Sequence, residues 1–334
     1  MRNSKASHPN LHCEKKNMQP SDELSLNNEQ RDECLAQLDQ DGLAVLPITL
    51  PAELLDRLVH YIDIYIDRVR NYEPDLANAS TARHTYMRDS IAEDDPAWRE
   101  LLTFKPSLQI CHDVFGPMFH LSQEMWRVYY ADPKAHKQPI TEGWHSDGPR
   151  VLPILEDGRC PLYFLRFGYL LADSTEEDDG TVEYIRGSHK RPCYDARTPP
   201  GPRNKRLSND SFYTPEQQAQ LDWDTGRVAL RGKAGTVFVL HNALWHRTLA
   251  HHANRPRAIS YFQYSLTMLR PLRRPSPYEG DMSHLNPEER WLLGEPRAGM
   301  NWTEGEPHDW VRMGRFGREV DSLGGLRTNQ ERPR

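Results

Sequence analysis

Trp144-His145-Ser146-Asp147-Gly148 is the stretch on which the reading of this chain turns. His145 and Asp147 stand two apart. On an extended strand that spacing turns both side chains to the same face. An imidazole nitrogen and a carboxylate oxygen can then grip one metal ion from a single strand end. Two ligands leave a divalent ion underbound, so a third must arrive from elsewhere. His246, in Leu244-Trp245-His246-Arg247-Thr248, is the candidate. An HxD pair alone is a common accident, and a chain with 15 histidines supplies a downstream His cheaply. What surrounds the third ligand therefore carries the weight.

If His145, Asp147 and His246 meet at one ion, the chain between them must fold around it. That favours one large domain over two small ones in 334 residues. Working outward, helices precede strands. Asn28 to Asp41 reads as a short helix with Leu35 and Leu38 on one side, stopped by Gly42. Leu43 to Pro47 is a short strand. Pro51 opens a longer helix in which Leu55, Leu58, Val59, Ile62, Ile66 and Val69 recur at three and four residues. Its stripe predicts packing on the outside of a sheet. Residues 72–100 read as a polar loop over the mouth of the site, and 97–115 as a further helix ending at Gly116-Pro117.

From Met118 the pattern turns to strands. Phe119 to Tyr130 is long, aromatic and β-branched, and Leu162 to Ala172 is a nearly continuous apolar run broken by Arg166 and Gly168. Glu176 to Asp179 reads as a solvated acidic turn rather than a calcium site. Thr181 to Ile185 reads as a strand, Lys233 to His241 as a turn and strand leading to His246, and Arg257 to Leu266 as a further strand. Residues 190–225, rich in Pro, Asn, Asp and Arg, form a long loop placed to cover a substrate. Helices followed by roughly eight short strands predict a mainly β fold with flanking helices, a double-stranded β-helix or jelly roll. Such a barrel brings strand ends from both halves to one mouth. The expected organisation is a disordered tail over 1–27, the β-helix domain over 28–270, and an extension over 271–334 serving as a lid or an oligomer contact.

Composition narrows the partners. A net charge of −6 argues against a polyanion-binding surface, so no nucleic acid is expected. The chain has no run of 18 apolar residues and no apolar leader, which predicts no membrane span and a cytoplasmic protein. Five cysteines without a CxxC fit free thiols in a reducing compartment. The low mean hydropathy of −0.80 and 26 prolines predict long polar connections around the core.

Arg257 lies eleven residues after His246, in Asn254-Arg255-Pro256-Arg257-Ala258-Ile259-Ser260-Tyr261. HxD, a distal His and an Arg about one strand later, with Arg186-Gly187-Ser188-His189 between, resemble the 2-oxoglutarate-dependent oxygenases, and most closely the phytanoyl-CoA dioxygenase family. One carboxylate and two histidines make the facial triad that suits Fe(II) and leaves positions open. The resemblance implies that His145, Asp147 and His246 bind Fe(II), with 2-oxoglutarate and O2 as co-substrates. It implies release of succinate and CO2 as a C–H bond of a small molecule is oxidised, most simply by hydroxylation. The family's related halogenases carry a small residue at the place of Asp147, so its presence points away from halogenation.

The distal carboxylate of 2-oxoglutarate needs a buried cation, and the guanidinium of Arg257 fits it. Thr248, two residues after His246, can add a hydroxyl to the same carboxylate. Tyr163, sixteen residues after Asp147, matches an aromatic that relatives place against the co-substrate. Arg127 and Gln123, on the strand before HxD, are expected to line the same pocket. Arg255 and Arg247 are the alternatives to Arg257, and surface pairing is the ordinary fate of each. His189 reads as the structural end of a strand. Three other readings remain open on sequence: a JmjC-like protein hydroxylase, a zinc hydrolase with the same ligands, and a non-catalytic barrel used as a binding module. A homo-oligomer is compatible with all of them.

Overall fold

The computed structural model describes residues 24–71, 85–92, 94–130, 145–147, 155, 159–190, 226–269 and 283–294. The expectations for the N-terminal tail, for the substrate-covering loop after Lys190 and for the segments 270–282 and 295–334 lie outside these residues.

Helix α1 (Asn28–Asp41) opens on a reciprocal cap, in which Asn27 and Gln30 each accept the other's backbone N–H. It stops where Gly42 turns left-handed at φ 82° and returns its N–H to the Leu38 carbonyl. Strand β1 (Leu43–Thr49) follows, then α2 (Ala52–Asn71), whose Leu54, Leu58, Ile62, Ile66 and Val69 are buried. Burying each such side chain contributes roughly 1.5–3 kcal/mol before conformational entropy is set against it. The stretch expected as one helix over 97–115 is two, α3 (Pro96–Leu102) and α4 (Lys105–Phe115). Pro106 explains the break: it lacks an N–H and restricts Lys105, so the chain restarts with proline in the first turn.

The strands are β2 (Thr85–Asp89), β3 (Phe119–Tyr129), β4 (Phe164–Leu170), β5 (Val182–Ile185), β6 (Arg227–Ala229), β7 (Thr236–His241), β8 (His246–Thr248) and β9 (Arg257–Leu266). Part of the segment read as a polar loop over the mouth is therefore strand. β2 closes the edge of the larger sheet by pairing with β3, Met87 opposite Arg127. The larger sheet runs β1-β7-β4-β9-β3-β2 and the smaller β6-β5-β8, and every pair is antiparallel. Two facing antiparallel sheets with helices on the outside are the predicted jelly-roll arrangement.

Period two sorts the larger sheet's side chains. Leu165, Phe167 and Tyr169 of β4, Val237 and Val239 of β7, and Phe262 and Tyr264 of β9 join the main core with α1 to α4. Tyr264 Oη donates to the Leu102 carbonyl at 2.7 Å, and Tyr169 Oη shares a hydrogen bond with Ser107 Oγ at 2.8 Å. These phenols tie the helices to the sheet. The opposite face looks into the barrel, where Leu43, Leu170, Phe238, Leu240 and Ile259 meet Val182 and Tyr184 of the smaller sheet. Gly168 lies on this inner face. A Cβ there would stand 2.1 Å from Phe238 Cζ, so glycine is what lets that ring cross the barrel floor.

A last helix, α5 (Pro287–Leu292), is capped by Asn286, and Leu285, Trp291, Leu292 and Leu293 are buried in the main core. This part of the C-terminal segment is built into the fold. Among the described residues no helix is long and apolar enough to cross a membrane.

Candidate metal centre and co-substrate pocket

His246 opens β8 opposite Tyr184 of β5. His145 bridges to it on the other side. The His145 N–H donates to the His246 carbonyl at 2.9 Å, and the His246 N–H donates back at 2.8 Å. This two-way bridge brings the imidazoles together, tilted by 50° with centroids 4.3 Å apart. Asp147 belongs to no strand, and its N–H donates to the Asn242 carbonyl at 3.1 Å. One ligand atom from each of His145, Asp147 and His246 lies within 4.8 Å of the others, close enough for one ion to bind all three.

The His246 tautomer follows from its neighbours. Nδ1 lies 2.9 Å from the Leu244 carbonyl, which can only accept, so Nδ1 carries the hydrogen and Nε2 offers a lone pair. Nε2 faces Asp147 Oδ2 at 3.7 Å. Burial, reinforced by His145 and opposed by Asp147, pulls the His246 pKa down to about 4, so the imidazole is neutral near pH 7. Burial alone would raise the Asp147 pKa. Arg166, His246, His145 and Arg127 outweigh it and bring the carboxyl down to about 2. A neutral imidazole and an ionised carboxylate are the forms that ligate a metal.

Arg257 is the first residue of β9, opposite Tyr129 of β3, and only 3% exposed. Its guanidinium carbon sits 4.7 Å over the Tyr129 ring. Its Nε and Nη1 are buried and, among the described residues, have no hydrogen-bond partner. Buried guanidinium donors left unpaired are costly unless something occupies them. A carboxylate of a bound dianion is the group they suit. Arg127 Nε and Gln123 Nε2, from the same side of β3, are also buried and unpaired. Tyr261, on β9 beside β3, is buried, which raises its pKa, and the charges of Arg257, Arg127 and Arg166 act on it in the opposite direction.

Two further residues set the site's geometry and were not singled out from sequence. Arg166, read only as an interruption in an apolar strand, donates from Nη1 to Asp147 Oδ2 at 2.8 Å. Asn242 accepts at its Oδ1 from the Tyr163 N–H at 3.0 Å and donates from Nδ2 to the Pro161 carbonyl at 3.0 Å, while its own carbonyl holds Asp147. The signal for Arg166 was its parity: it shares a face with Gly168 and Leu170, the face that looks into the barrel.

Tyr163 packs against Cys160 and Ala243, and Thr248 is exposed at the end of β8. Arg255 pairs with Asp179, Nε to Oδ1 at 3.1 Å and Nη2 to Oδ2 at 2.6 Å. Arg247 pairs with Glu183 at 2.7 Å. Both alternatives to Arg257 are thereby committed elsewhere. Asp179 is not the solvated acid the sequence suggested. It is 1% exposed and also accepts from the N–H groups of Thr175 and Glu176, because the bend folds its carboxylate back on its own backbone. His189 hydrogen-bonds the Asp39 carbonyl at 3.0 Å, away from the triad.

Residues 38–259 match the family model described as phytanoyl-CoA dioxygenase (PhyH). The chain belongs to the phytanoyl-CoA dioxygenase family. It is therefore an enzyme, an oxygenase dependent on Fe(II) and 2-oxoglutarate. No curated protein matches it. Among solved structures, EctD from S. alaskensis with bound Fe is 20% identical, with 84% of this chain and 91% of that one covered and a TM-score of 0.54. SnoN, a non-heme alpha ketoglutarate dependent epimerase from nogalamycin biosynthesis, gives 17%, 72%, 82% and 0.52. HygX from Streptomyces hygroscopicus, with nickel and 2-oxoglutarate bound, gives 16%, 75%, 90% and 0.50. At such identities the likeness is one of fold.

Proposed function

We propose that this PhyH-family oxygenase hydroxylates a C–H bond of a small-molecule substrate, with 2-oxoglutarate converted to succinate and CO2. In this reading His145, Asp147 and His246 hold Fe(II) from one side. Arg257 seats the distal carboxylate of 2-oxoglutarate, and Arg127 and Gln123 line the same pocket. The iron, when bound, supplies the activation of O2 that no side chain can provide. The residues' work is to bind, orient and keep water out.

The supporting observation is the buried Arg257 guanidinium with two unpaired donors, on the inner face of the same barrel that gathers the triad. A zinc hydrolase or an inert barrel would have no use for such a cation. The His246 Nδ1–H bond to Leu244 keeps Nε2 available as a lone-pair donor. Arg257 and Arg127 act on the Tyr129 phenol strongly enough to lower its pKa against burial. The surroundings of Tyr129 and Arg257 are therefore cationic and suit an anion. Tyr163 as an aromatic against the co-substrate, and Thr248 as a hydroxyl on its distal carboxylate, complete the reading. The unit we assign to this activity begins with α1 and includes α5, and we place the protein in the cytoplasm.

Anaerobic addition of Fe(II) and 2-oxoglutarate to the metal-free protein is the test. Wild type should develop the charge-transfer absorption of a chelated keto acid, and His145→Ala should not. Succinate release against a panel of small molecules then identifies the substrate. Wild type without the absorption band, in folded protein, would remove the assignment.

A further inference from the structure

The geometry points to Arg166 as a positioning residue for the metal ligand Asp147, held in place by Gln263. This rests on the reading of His145, Asp147 and His246 as the iron ligands. His145 and His246 are fixed by their own backbone bridge and, for His246, by the Leu244 carbonyl. Among the described residues, Asp147 makes no such two-way bridge. It lies outside any strand, with one backbone bond to Asn242. Its carboxylate could take several rotamers, and the contact that selects one is the ion pair from Arg166 Nη1 at 2.8 Å.

Arg166 itself is immobilised. Its Nε and Nη2 donate to Gln263 Oε1 at 3.2 and 2.8 Å, and Nη2 also reaches Gln123 Oε1 at 3.3 Å. Gln263 is oriented in turn, donating from Nε2 to Ser122 Oγ at 3.0 Å, and that hydroxyl donates to the Gln263 carbonyl at 3.1 Å. The chain of contacts runs Asp147, Arg166, Gln263, Ser122, and it ends in the β3–β9 ladder. The register puts Arg166 opposite Gln263, and Gln263 opposite Gln123. Ser122 lies at the irregularity in pairing between Leu121 and Gln123. Such irregularities re-aim side chains next to functional sites. The large sheet thus fixes a ligand that belongs to neither sheet. All three nitrogens of Arg166 are engaged, which assigns it to orientation rather than to substrate.

Two effects of removing Arg166 oppose each other, and their signs differ. A guanidinium beside a divalent cation repels it, so loss of the charge alone would tighten metal binding. Loss of orientation would loosen it, and partners of metal ligands typically contribute about 10–100-fold in affinity. Loss of the charge also lets a proton compete for the Asp147 carboxylate. The titration is therefore run at two pH values, and weakening that persists at the higher one comes from orientation.

The experiment titrates metal-free wild type, Arg166→Met, Arg166→Lys and Gln263→Met anaerobically with Fe(II) in the presence of 2-oxoglutarate, following the charge-transfer band. The Fe(II) Kd is expected to rise about 10–100-fold in Arg166→Met. It should rise less in Gln263→Met, which keeps the charge and loosens its seat, and recover in part in Arg166→Lys. The band of Arg166→Met should also shift in energy, which a loss of folded fraction would not produce. Fe(II) binding by Arg166→Met as tight as, or tighter than, wild type overturns the inference. If that variant is insoluble, Gln263→Met decides, and an unchanged Kd overturns it. Wild type without any band removes the underlying iron and 2-oxoglutarate reading instead, a result distinct from an intact band that ignores Arg166.

Discussion

Replacing Arg257 with methionine removes a buried cation and keeps much of its volume. In the free protein the Nε and Nη1 donors have no partner among the described residues, so the substitution breaks no hydrogen bond there at those two atoms. In the complex they would meet a carboxylate. A hydrogen bond to a charged group contributes about 1.5–3 kcal/mol, and with both partners charged and buried the upper figure applies, about 3 kcal/mol. That is roughly a 100-fold rise in the 2-oxoglutarate Kd. Thermal denaturation with Mn(II), which avoids turnover, reads it directly. At 2-oxoglutarate equal to 100 times the wild-type Kd, wild type should gain about 2.7 kcal/mol from the ligand. The variant, then near its own Kd, should gain about 0.4 kcal/mol by the same relation. Arg257→Lys keeps the charge and loses the planar fork, so it should fall between. If Arg257→Met is stabilised by 2-oxoglutarate as much as wild type, the guanidinium does not seat the co-substrate.

Gly168→Ala should destabilise the barrel by about 1–3 kcal/mol through overpacking, because the new methyl would meet the Phe238 ring at 2.1 Å. Urea denaturation should show the loss, and Phe238→Leu in the same chain should restore part of it. His241 should give the metal-free protein an acid limb. Burial, aided by His189, holds its pKa down to about 3, and its Nδ1 accepts the Ala243 N–H at 3.0 Å. The unfolded chain takes up that proton below pH 6.5 while the folded one resists, so this stability is present above pH 6.5 and is lost as pH falls towards 3. His241→Gln should flatten that limb in a Tm-against-pH series, and an unchanged slope would assign the acid sensitivity elsewhere. Asp179→Asn should cost about 1–2 kcal/mol in equilibrium denaturation, since the bend loses a carboxylate that serves Thr175, Glu176 and Arg255 together. Equal stability of this variant would make the pair ornamental.

How much of this was legible follows from which contacts are local in the chain. Gly42 after Asp41 announces a helix end by itself, and the stripe of α2 announces a buried face, because capping and periodicity operate within a few residues. HxD is local as well, and the eleven-residue step from His246 to Arg257 spans one strand and a turn. The edge strand β2 was hidden because it has one neighbour and carries Thr85, Arg88 and Asp89, a polar make-up that reads as loop. Asp179 was misjudged because a run of acids looks solvated until its carboxylate is seen closing its own bend.

Arg166 marks the boundary between the two kinds of information. Its inward direction is a matter of parity and could be read from Phe164 to Leu170. Its partners could not. Gln263 lies 97 residues away, and the contact exists because β4 pairs with β9 in one register and no other. A slip of one residue would turn Arg166 to the helix side, a cation against Phe262 and Tyr264 of β9, and send Phe167 and Tyr169 into the barrel. The apolar alternation that packs the outer face therefore also aims a guanidinium at Asp147. Core and metal site share that single choice of register, so a substitution that shifts it should damage stability and iron affinity together.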